Sequence, residues 1–334
     1  MKLSILDQSP ISSGKTSKDA LEATTRLAQF ADEAGYTRYW VAEHHDMAGL
    51  ASPAPDMMLG IIGAKTKRIR IGAGAVLLPH YKPFNIAERY NLLATLYPGR
   101  VDLGIGRAPG GSAESSMALS GNFLENVRNM PDDLDELIQF LYDGFPEDNM
   151  FSKIAPTPVP DVPPQVWLLG TSEKSGKLAT DKGLSYTFGH FMSNANGPEI
   201  VQKYLATMKK REFQAVQKPI IAVSVICAET EEEAEELALS NQLWSVLAEK
   251  GKGKQGIPSV KEAKQYPLTK EEKEKITKQK QKMIIGNPKQ VREQLEVLQS
   301  EYQTDEFMIV TITHDYEARK TSYELIANEM LKEV

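Results

Sequence analysis

The 334 residues include a single cysteine, Cys227, so no disulfide can form within the chain. A chain without disulfides is typical of a reducing compartment. No apolar run approaches the roughly 18 residues of a membrane-spanning helix, and the run at the start of the chain is too short for a signal peptide. The formal net charge of −6 lacks the basic excess that nucleic-acid-binding proteins usually carry. The sequence therefore predicts a soluble, cytoplasmic protein that binds neither membranes nor nucleic acid.

The sequence does contain a repeated alternation of a short apolar run and a helical pattern. The apolar runs predict strands, and apolar residues at three- and four-residue spacing predict helices between them. The predicted strands cover residues 3–9, 39–43, 69–78, 101–106, 166–170, 184–189, 219–228 and 306–313. Pro131 is predicted to open the helix after the fourth strand, because proline suits the first helical turn.

Strands that are apolar along their whole length indicate a parallel sheet covered by helices on both faces. A closed barrel and a doubly wound open sheet both satisfy this requirement. The count of eight units, and the absence of a GxGxxG turn after the first strand, favour the barrel. We therefore predict an α/β fold in which residues 1–334 form a single (β/α)8 TIM barrel domain. An insertion before the last strand, at about residues 243–285 with a lysine-rich part at 251–282, is either a lid or a solvated surface segment.

Histidines are concentrated at the predicted strand ends, where a barrel builds its active site. Four of the five fall there, namely His44, His45, His190 and His314. A metal site is one interpretation, although each histidine taken singly is more often a structural hydrogen-bonding residue. Adjacent strand residues point to opposite faces, so only one of His44 and His45 can face the centre unless the strand has already ended. No HxH or HExxH spacing is present, and we predict no metal site.

A phosphate-binding segment is a second interpretation of the strand ends. The fifth strand ends at Gly170, and Thr171, Ser172 and Ser175 follow at the start of a helix. Hydroxyls and free N–H groups at such a start can bind an anion, and Arg107 after the fourth strand can add charge-assisted hydrogen bonds. The alternative is that Ser172 is an ordinary N-cap and Arg107 a surface ion-pair residue.

The third strand contains four small residues in a row, Gly72-Ala73-Gly74-Ala75. Small residues let a flat ligand approach the backbone closely, but they also permit tight packing within the protein. Alone, the pattern does not decide between the two.

Six segments, in order along the chain, resemble motifs of the bacterial-luciferase-like family of flavin-dependent monooxygenases. They are AEHH (42–45), RIRIGAGAVLLPHYKP (68–83), NLLATLYPGRVDLGIGR (91–107), WLLGTSEKSGKLATDKGL (167–184), HF (190–191) and IGNPKQVREQL (285–295). No single segment is decisive, but their number and order are specific. The resemblance covers nearly the whole chain and implies a (β/α)8 barrel that binds FMN at the C-terminal ends of its strands.

The resemblance also implies roles for individual residues. The flavin phosphate would lie at the ends of the fourth and fifth strands, and the isoalloxazine ring beside residues 73–75, with a cis peptide at Gly74-Ala75. The implied cofactor-binding residues are Ala73, Gly74, Ala75, Arg107, Gly170, Thr171, Ser172, Ser175 and His190. The implied catalytic residues are His44 and His45, with His44 as a general base or proton donor. An imidazole with the ordinary pKa near 6.5 suits proton transfer at neutral pH.

The implied activity is that of a two-component FMN monooxygenase. Such an enzyme takes reduced FMN from a separate flavin reductase and uses O2 to oxidise a small organic substrate. Two alternatives stay open, a deazaflavin-dependent hydride-transfer oxidoreductase and a non-catalytic flavin-binding protein. Luciferase has a cysteine where this chain has Gly106, which puts light emission from long-chain aldehydes in doubt. A homodimer formed through the helices near strands two and three is also implied.

Overall fold

The computed structural model describes residues 1–47, 49–210, 217–251 and 253–331. The strands are β1 (Lys2–Asp7), β2 (Arg38–Val41), β3 (Arg70–Leu77), β4 (Val101–Gly106), β5 (Gln165–Gly170), β6 (Ser185–Gly189), β7 (Ile220–Cys227), β8 (Met283–Gly286) and β9 (Glu306–Val310). The helices are α1 (Ser17–Glu33), α2 (Pro55–Lys65), α3 (Pro83–Leu96), α4 (Ala113–Ser120), α5 (Phe123–Ile138), α6 (Glu173–Lys182), α7 (Gly197–Lys210), α8 (Glu231–Glu249), α9 (Val260–Gln265), α10 (Lys270–Lys280), α11 (Pro288–Tyr302) and α12 (Tyr316–Met330). Within these ranges, no helix is long and apolar enough to cross a membrane.

Eight of the strands close into a parallel barrel. Strands β1 to β7 pair in sequence order, β7 pairs with β9, and β9 returns to β1. The additional strand, β8, pairs with the C-terminal half of β7 and lies outside this ring. The predicted (β/α)8 barrel is therefore confirmed, and the open-sheet alternative is wrong because both ends of the sheet are paired.

The N-terminal end of the barrel interior is filled by buried ion pairs. Arg38 donates from Nε to Glu306 and from Nη1 to Asp102, both at 2.8 Å. Trp40 also donates from Nε1 to Asp102 at 3.0 Å. Buried charges are tolerated when they are paired and hydrogen-bonded in this way. This end of the barrel is thus closed by the protein itself, which leaves the C-terminal end for a ligand.

An aromatic layer lies above the ion pairs. The rings of Trp40 and Trp167 meet edge to face, with centroids 5.7 Å apart. Leu6, Ala222 and Met308 belong to the same buried cluster. Large side chains therefore fill the middle of the barrel, so that any ligand is held near the strand ends.

Most predicted strand ends differ slightly from the structure, and two differences from the predicted boundaries affect the interpretation of the sequence. The second strand ends at Val41, before the histidines, so the alternation rule does not apply to His44 and His45. Pro131 lies inside α5 and does not open it. That helix begins earlier because Asn122 caps it, accepting a hydrogen bond from the Glu125 N–H at 3.4 Å. The one hydrogen bond lost at the proline does not outweigh the rest of the helix.

The predicted insertion is folded and packed on the barrel. Besides the end of α8 it contains α9, α10 and β8, the last of which the sequence did not predict. Ion pairs join the lysines of α9 and α10 to the acidic face of α8, with Lys264 2.8 Å from Glu236 and Lys280 2.7 Å from Glu235. Much of the lysine excess is thus neutralised by a neighbouring helix.

The turn before α9 is attached to the loop after β1. The Ile257 N–H donates to the Ile11 carbonyl at 2.7 Å, and the Ser13 N–H donates to the Ile257 carbonyl at 2.8 Å. Ile257 is fully buried in the same apolar cluster as Leu50 and Trp244. The insertion therefore covers part of the barrel mouth on the side of β1 and β2.

Candidate active site

The end of β3 forms a wall of small residues. The peptide between Gly74 and Ala75 is cis, as the resemblance implied, and the pairing of β3 with β4 shifts register after Ala73. A Cβ atom at Gly104 would lie 2.2 Å from the Ala73 carbonyl oxygen, so only glycine fits there. A Cβ atom at Gly106 would lie 3.0 Å from that of Ala75. Backbone and methyl groups thus line this side of the mouth, which suits the close approach of a flat ring.

His44 lies in the loop that follows β2, three residues after the strand ends at Val41. Its N–H donates to the Ser52 carbonyl at 3.0 Å, which fixes the direction of this loop. Burial, and then the neighbouring His45, lower the pKa of the half-buried His44 side chain from 6.5 to about 4. This corrects the expectation of an ordinary pKa, because His44 is uncharged at neutral pH.

His45 belongs to a buried network centred on Glu43. Glu43 Oε1 lies 2.8 Å from His45 Nε2 and accepts a hydrogen bond from the Tyr81 hydroxyl at 3.0 Å. Glu43 Oε2 accepts from the Leu77 N–H at 3.3 Å. The His80 ring meets His45 edge to face, with centroids 5.6 Å apart. The network joins the loop after β2 to the end of β3, and it gives His45 surroundings unlike those of His44.

The helix start after β5 has the geometry predicted for either a cap or an anion site. Ser172 is the N-cap of α6, and its hydroxyl accepts from the Ser175 N–H at 3.4 Å. Ser175 Oγ donates to the Ser172 carbonyl at 2.6 Å and lies 2.9 Å from the Tyr186 hydroxyl. The first N–H groups of any α-helix have no acceptor within the helix, so those of Glu173 and Lys174 stay available to an anion. The cap and the anion site are therefore compatible.

Arg107 stands beside this helix start. Ile105 pairs with Leu168, and continuing that register places Arg107 level with Gly170. The side chain of Arg107 is exposed and makes no ion pair with any carboxylate in the described ranges. Within these ranges the structure therefore offers no support for the surface ion-pair interpretation of Arg107. Glu173, which has the same sign of charge as a phosphate, is paired with Lys203 at 3.1 Å.

His190 follows β6 and is held by a tyrosine. Its Nδ1 lies 2.7 Å from the hydroxyl of Tyr302, at the end of α11. Burial lowers the pKa of His190, and Lys282 adds to the effect while Glu301 opposes it. His314, after β9, lies with Nε2 3.2 Å from the Ser13 carbonyl. The strand-end histidines are thus dispersed around the mouth, and the described chain holds no group of three or more candidate metal ligands.

Sequence reasoning missed the carboxylate of Glu43 and the fifth histidine, His80. One signal was present for Glu43, since residues two apart in an extended chain lie on the same side and Glu43 is two before His45. His80 has both ring nitrogens engaged, 3.3 Å from Ser120 Oγ and 2.9 Å from the Pro109 carbonyl. No sequence pattern indicated these contacts, because the partners come from other elements.

Comparisons with known proteins agree with this architecture. A family model described as "Luciferase-like monooxygenase" matches residues 1–304. The N-acetyl-S-alkylcysteine monooxygenase of Bacillus subtilis (strain 168) is 37% identical over 337 residues, which cover 99% of this chain and 98% of that protein. The crystal structure of apo-MsnO8 has a TM-score of 0.87 at 31% identity and covers 98% of this chain and 97% of its own. The oxygenating constituent of 3,6-diketocamphane monooxygenase from Pseudomonas putida, solved in complex with FMN, shares the fold, with a TM-score of 0.72 at 18% identity over 100% of this chain and 99% of its own.

Proposed function

We propose that this chain, which belongs to the luciferase-like monooxygenase family, is an oxygenase component that uses reduced FMN and O2 to oxidise a small organic substrate. The observation that carries the proposal is the succession of three neighbouring strand ends. The wall of small residues ends β3, Arg107 follows β4, and the start of α6, with its free N–H groups, follows β5. Adjacent strands lie about 4.8 Å apart, so one flavin can place its ring on the wall and its phosphate at the helix start.

The residues at these three strand ends have side chains and N–H groups that suit the phosphate and the ring of FMN. We propose that the phosphate is held by the free N–H groups of α6, by the guanidinium of Arg107 and by the hydroxyl-bearing segment after β5. The residues assigned to the phosphate are Arg107, Gly170, Thr171, Ser172 and Ser175. The ring is assigned to Ala73, Gly74 and Ala75, and His190 is assigned to the far side of the mouth. FMN in the diketocamphane monooxygenase structure supports this choice of cofactor.

Reduced FMN, when bound, activates O2 so that an oxygen atom can be transferred to the substrate. The protein's own contribution is to orient the ring, to hold a proton at His44 and to exclude water. The Glu43 network holds His45 and the end of β3 in place beside the ring. We assign His44 to contact with the reacting atoms and His45 to positioning.

Two parts of the molecule beyond the cofactor site also enter the proposal. The insertion, attached through Ile257, acts as a lid that keeps water from the reaction. Four large apolar side chains on α2 and α3 are exposed, which supports a homodimer through these helices. They are Met57, Ile61, Leu92 and Leu96. A separate flavin reductase supplies reduced FMN, and this is supported by the diketocamphane protein, which is the oxygenating constituent of its enzyme.

The proposed substrate class is taken from one relative. Because the Bacillus subtilis relative acts on N-acetyl-S-alkylcysteines, we propose thioethers of this kind as the first substrates to test.

The decisive test is an anaerobic titration of the protein with FMN, reduced FMN and the deazaflavin, followed by air in the presence of an N-acetyl-S-alkylcysteine. We expect the tightest binding for reduced FMN and formation of an oxygenated product on admission of O2. Tighter binding of the deazaflavin than of reduced FMN would indicate a deazaflavin-dependent hydride-transfer oxidoreductase instead. If the protein bound no flavin, the proposed function would be wrong.

Arg107→Ala tests whether Arg107 binds the phosphate of FMN, because a lost phosphate contact weakens the binding of FMN but not that of riboflavin. Charge-assisted hydrogen bonds worth about 1.5–3 kcal/mol are lost, so the Kd for FMN should rise about 10–100-fold. The Kd for riboflavin, which has no phosphate, should not change. Arg26→Ala is the matched control, because Arg26 is an exposed arginine on α1 that pairs with Glu22. Equal losses for FMN and riboflavin in Arg107→Ala would show that Arg107 does not bind the phosphate.

A further inference from the structure

His44 and His45 are consecutive imidazoles with different hydrogen-bonding surroundings. His45 Nε2 lies 2.8 Å from a carboxylate oxygen of Glu43, whose side chain is 1% exposed. The other contacts of that carboxylate are with Tyr81 and Leu77. The carboxylate therefore binds His45 and makes no contact with His44.

One ring nitrogen of His44 is enclosed without a partner. Its Nδ1 is inaccessible to solvent and has no hydrogen-bond partner in the described part of the chain. The side chain as a whole is partly exposed, so the accessible edge of the ring is the one that carries Nε2. The two nitrogens of His44 thus differ, because Nδ1 is enclosed by the protein and Nε2 is accessible.

This difference decides where the proton resides. A neutral imidazole carries one N–H, at either nitrogen, and an imidazolium carries both. A buried N–H without an acceptor costs about 1–3 kcal/mol, and it is rarer in proteins than a buried acceptor without a donor. Two of the three protonation states, the Nδ1–H tautomer and the imidazolium, would place such an N–H at the sealed nitrogen.

The ionisable groups near His44 also favour the neutral imidazole. Burial is the larger cause of its lowered pKa, and the second is His45 on the same loop. Among the described residues, no carboxylate acts to raise that pKa. The surroundings of His44 therefore oppose protonation to the imidazolium.

We infer that His44 acts as a neutral imidazole with its proton fixed on Nε2, and that it donates a hydrogen bond from Nε2 to an oxygen atom of the reacting complex. In this role His44 neither removes a proton nor delivers one. The inference deepens the proposed function and rests on it for the identity of the acceptor. The protonation state itself is a property of the protein without any ligand.

The first test is therefore made on the full chain without flavin. The protein is labelled with 15N-histidine, and two-bond nitrogen–proton correlations are recorded between pH 8 and pH 5, with His44→Gln used to assign the signal. We expect the pattern of the Nε2–H tautomer, unchanged over this range. An Nδ1–H pattern, or a titration of His44 near pH 6.5, would overturn the inference whatever the protein binds.

The second test uses the shape of glutamine, whose side-chain NH2 lies close to the position of an imidazole Nε2–H. We expect His44→Ala to lower turnover about 100-fold, as for loss of one donor to a developing oxyanion, and His44→Gln to recover at least about tenfold of that loss. FMN affinity should be the same in both variants. Equal loss in both would contradict the donor role of His44. If neither variant nor the wild type bound a flavin, the proposed function would fail while the tautomer result stood.

Discussion

At the scale of single residues, three consecutive side chains after β2 have three different tasks. Glu43 is a buried hydrogen-bond acceptor for groups on the second and third strand ends. His45 is its hydrogen-bond partner, and His44 has an enclosed Nδ1 that makes no hydrogen bond to the described residues. A buried carboxylate with several donors is costly to disturb, because each donor would be left without an acceptor.

Replacing the Glu43 carboxylate by an amide tests the strength of this network. In Glu43→Gln one acceptor oxygen becomes an NH2 group that faces N–H and O–H donors. We expect the free energy of unfolding in urea to fall by about 1.5–3 kcal/mol. Glu33→Gln, at the exposed end of α1, should change it by no more than about 0.5 kcal/mol. Equal stability of wild type and Glu43→Gln would mean that the charge of Glu43 does not hold the network.

At the scale of elements, the insertion is held to the barrel by two unlike kinds of contact. Its helices meet α8 through exposed ion pairs, which typically contribute about 0–1 kcal/mol each. Its turn at Ile257 is bound by two backbone hydrogen bonds and by full burial of an apolar side chain. Burial of Ile257 therefore holds the insertion on the barrel more strongly than the exposed ion pairs do.

Ile257→Ala should loosen the lid and leave the cofactor site intact. Truncation of a buried isoleucine costs about 2–5 kcal/mol. Here the substitution should weaken the attachment of the insertion to the barrel. The ratio of product formed to O2 consumed should drop and hydrogen peroxide should accumulate, with no change in the Kd for FMN. Lys275→Ala, in the exposed pair with Glu249 on the same insertion, should behave as wild type. Unchanged coupling in Ile257→Ala would exclude the lid.

At the scale of the whole molecule, the barrel has a closed end and an open end, and one flank that exposes apolar side chains. Met57 is 72% exposed and Leu96 57% exposed, on the neighbouring helices α2 and α3. Exposed apolar groups that lie together mark an interface more often than isolated ones do. The proposed homodimer would bury this flank.

A charge placed within the flank should separate the subunits. Leu96→Glu would put a carboxylate into an apolar interface, where its desolvation costs several kcal/mol, and the dimer Kd should rise by about 100-fold or more. Sedimentation velocity would report the change as a shift from dimer to monomer. The control is Val297→Glu, at an exposed valine on α11. A wild-type monomer would refute the dimer itself, and a dimeric Leu96→Glu would place the interface elsewhere.

Local patterns in the sequence determined the eight barrel strands and the cap at Ser172, because apolar periodicity and capping depend on neighbours within a few residues. The short strand β8 was not predictable, since its four apolar residues carry too weak a pattern and its pairing with β7 depends on a distant segment. The cis peptide at Gly74-Ala75 was expected only through the family resemblance.

The chemistry of the site depended on contacts that local patterns do not encode. The sequence by itself placed His44, Arg107 and Ser172 at strand ends, because the strand order of a barrel brings those ends to one face. Only the tertiary structure showed that the pKa of His44 is lowered and that the Glu43 carboxylate contacts His45. A pKa and a hydrogen-bond partner depend on what surrounds a group in space, and the donors to Glu43 include Tyr81 and Leu77, which lie far from it in the chain.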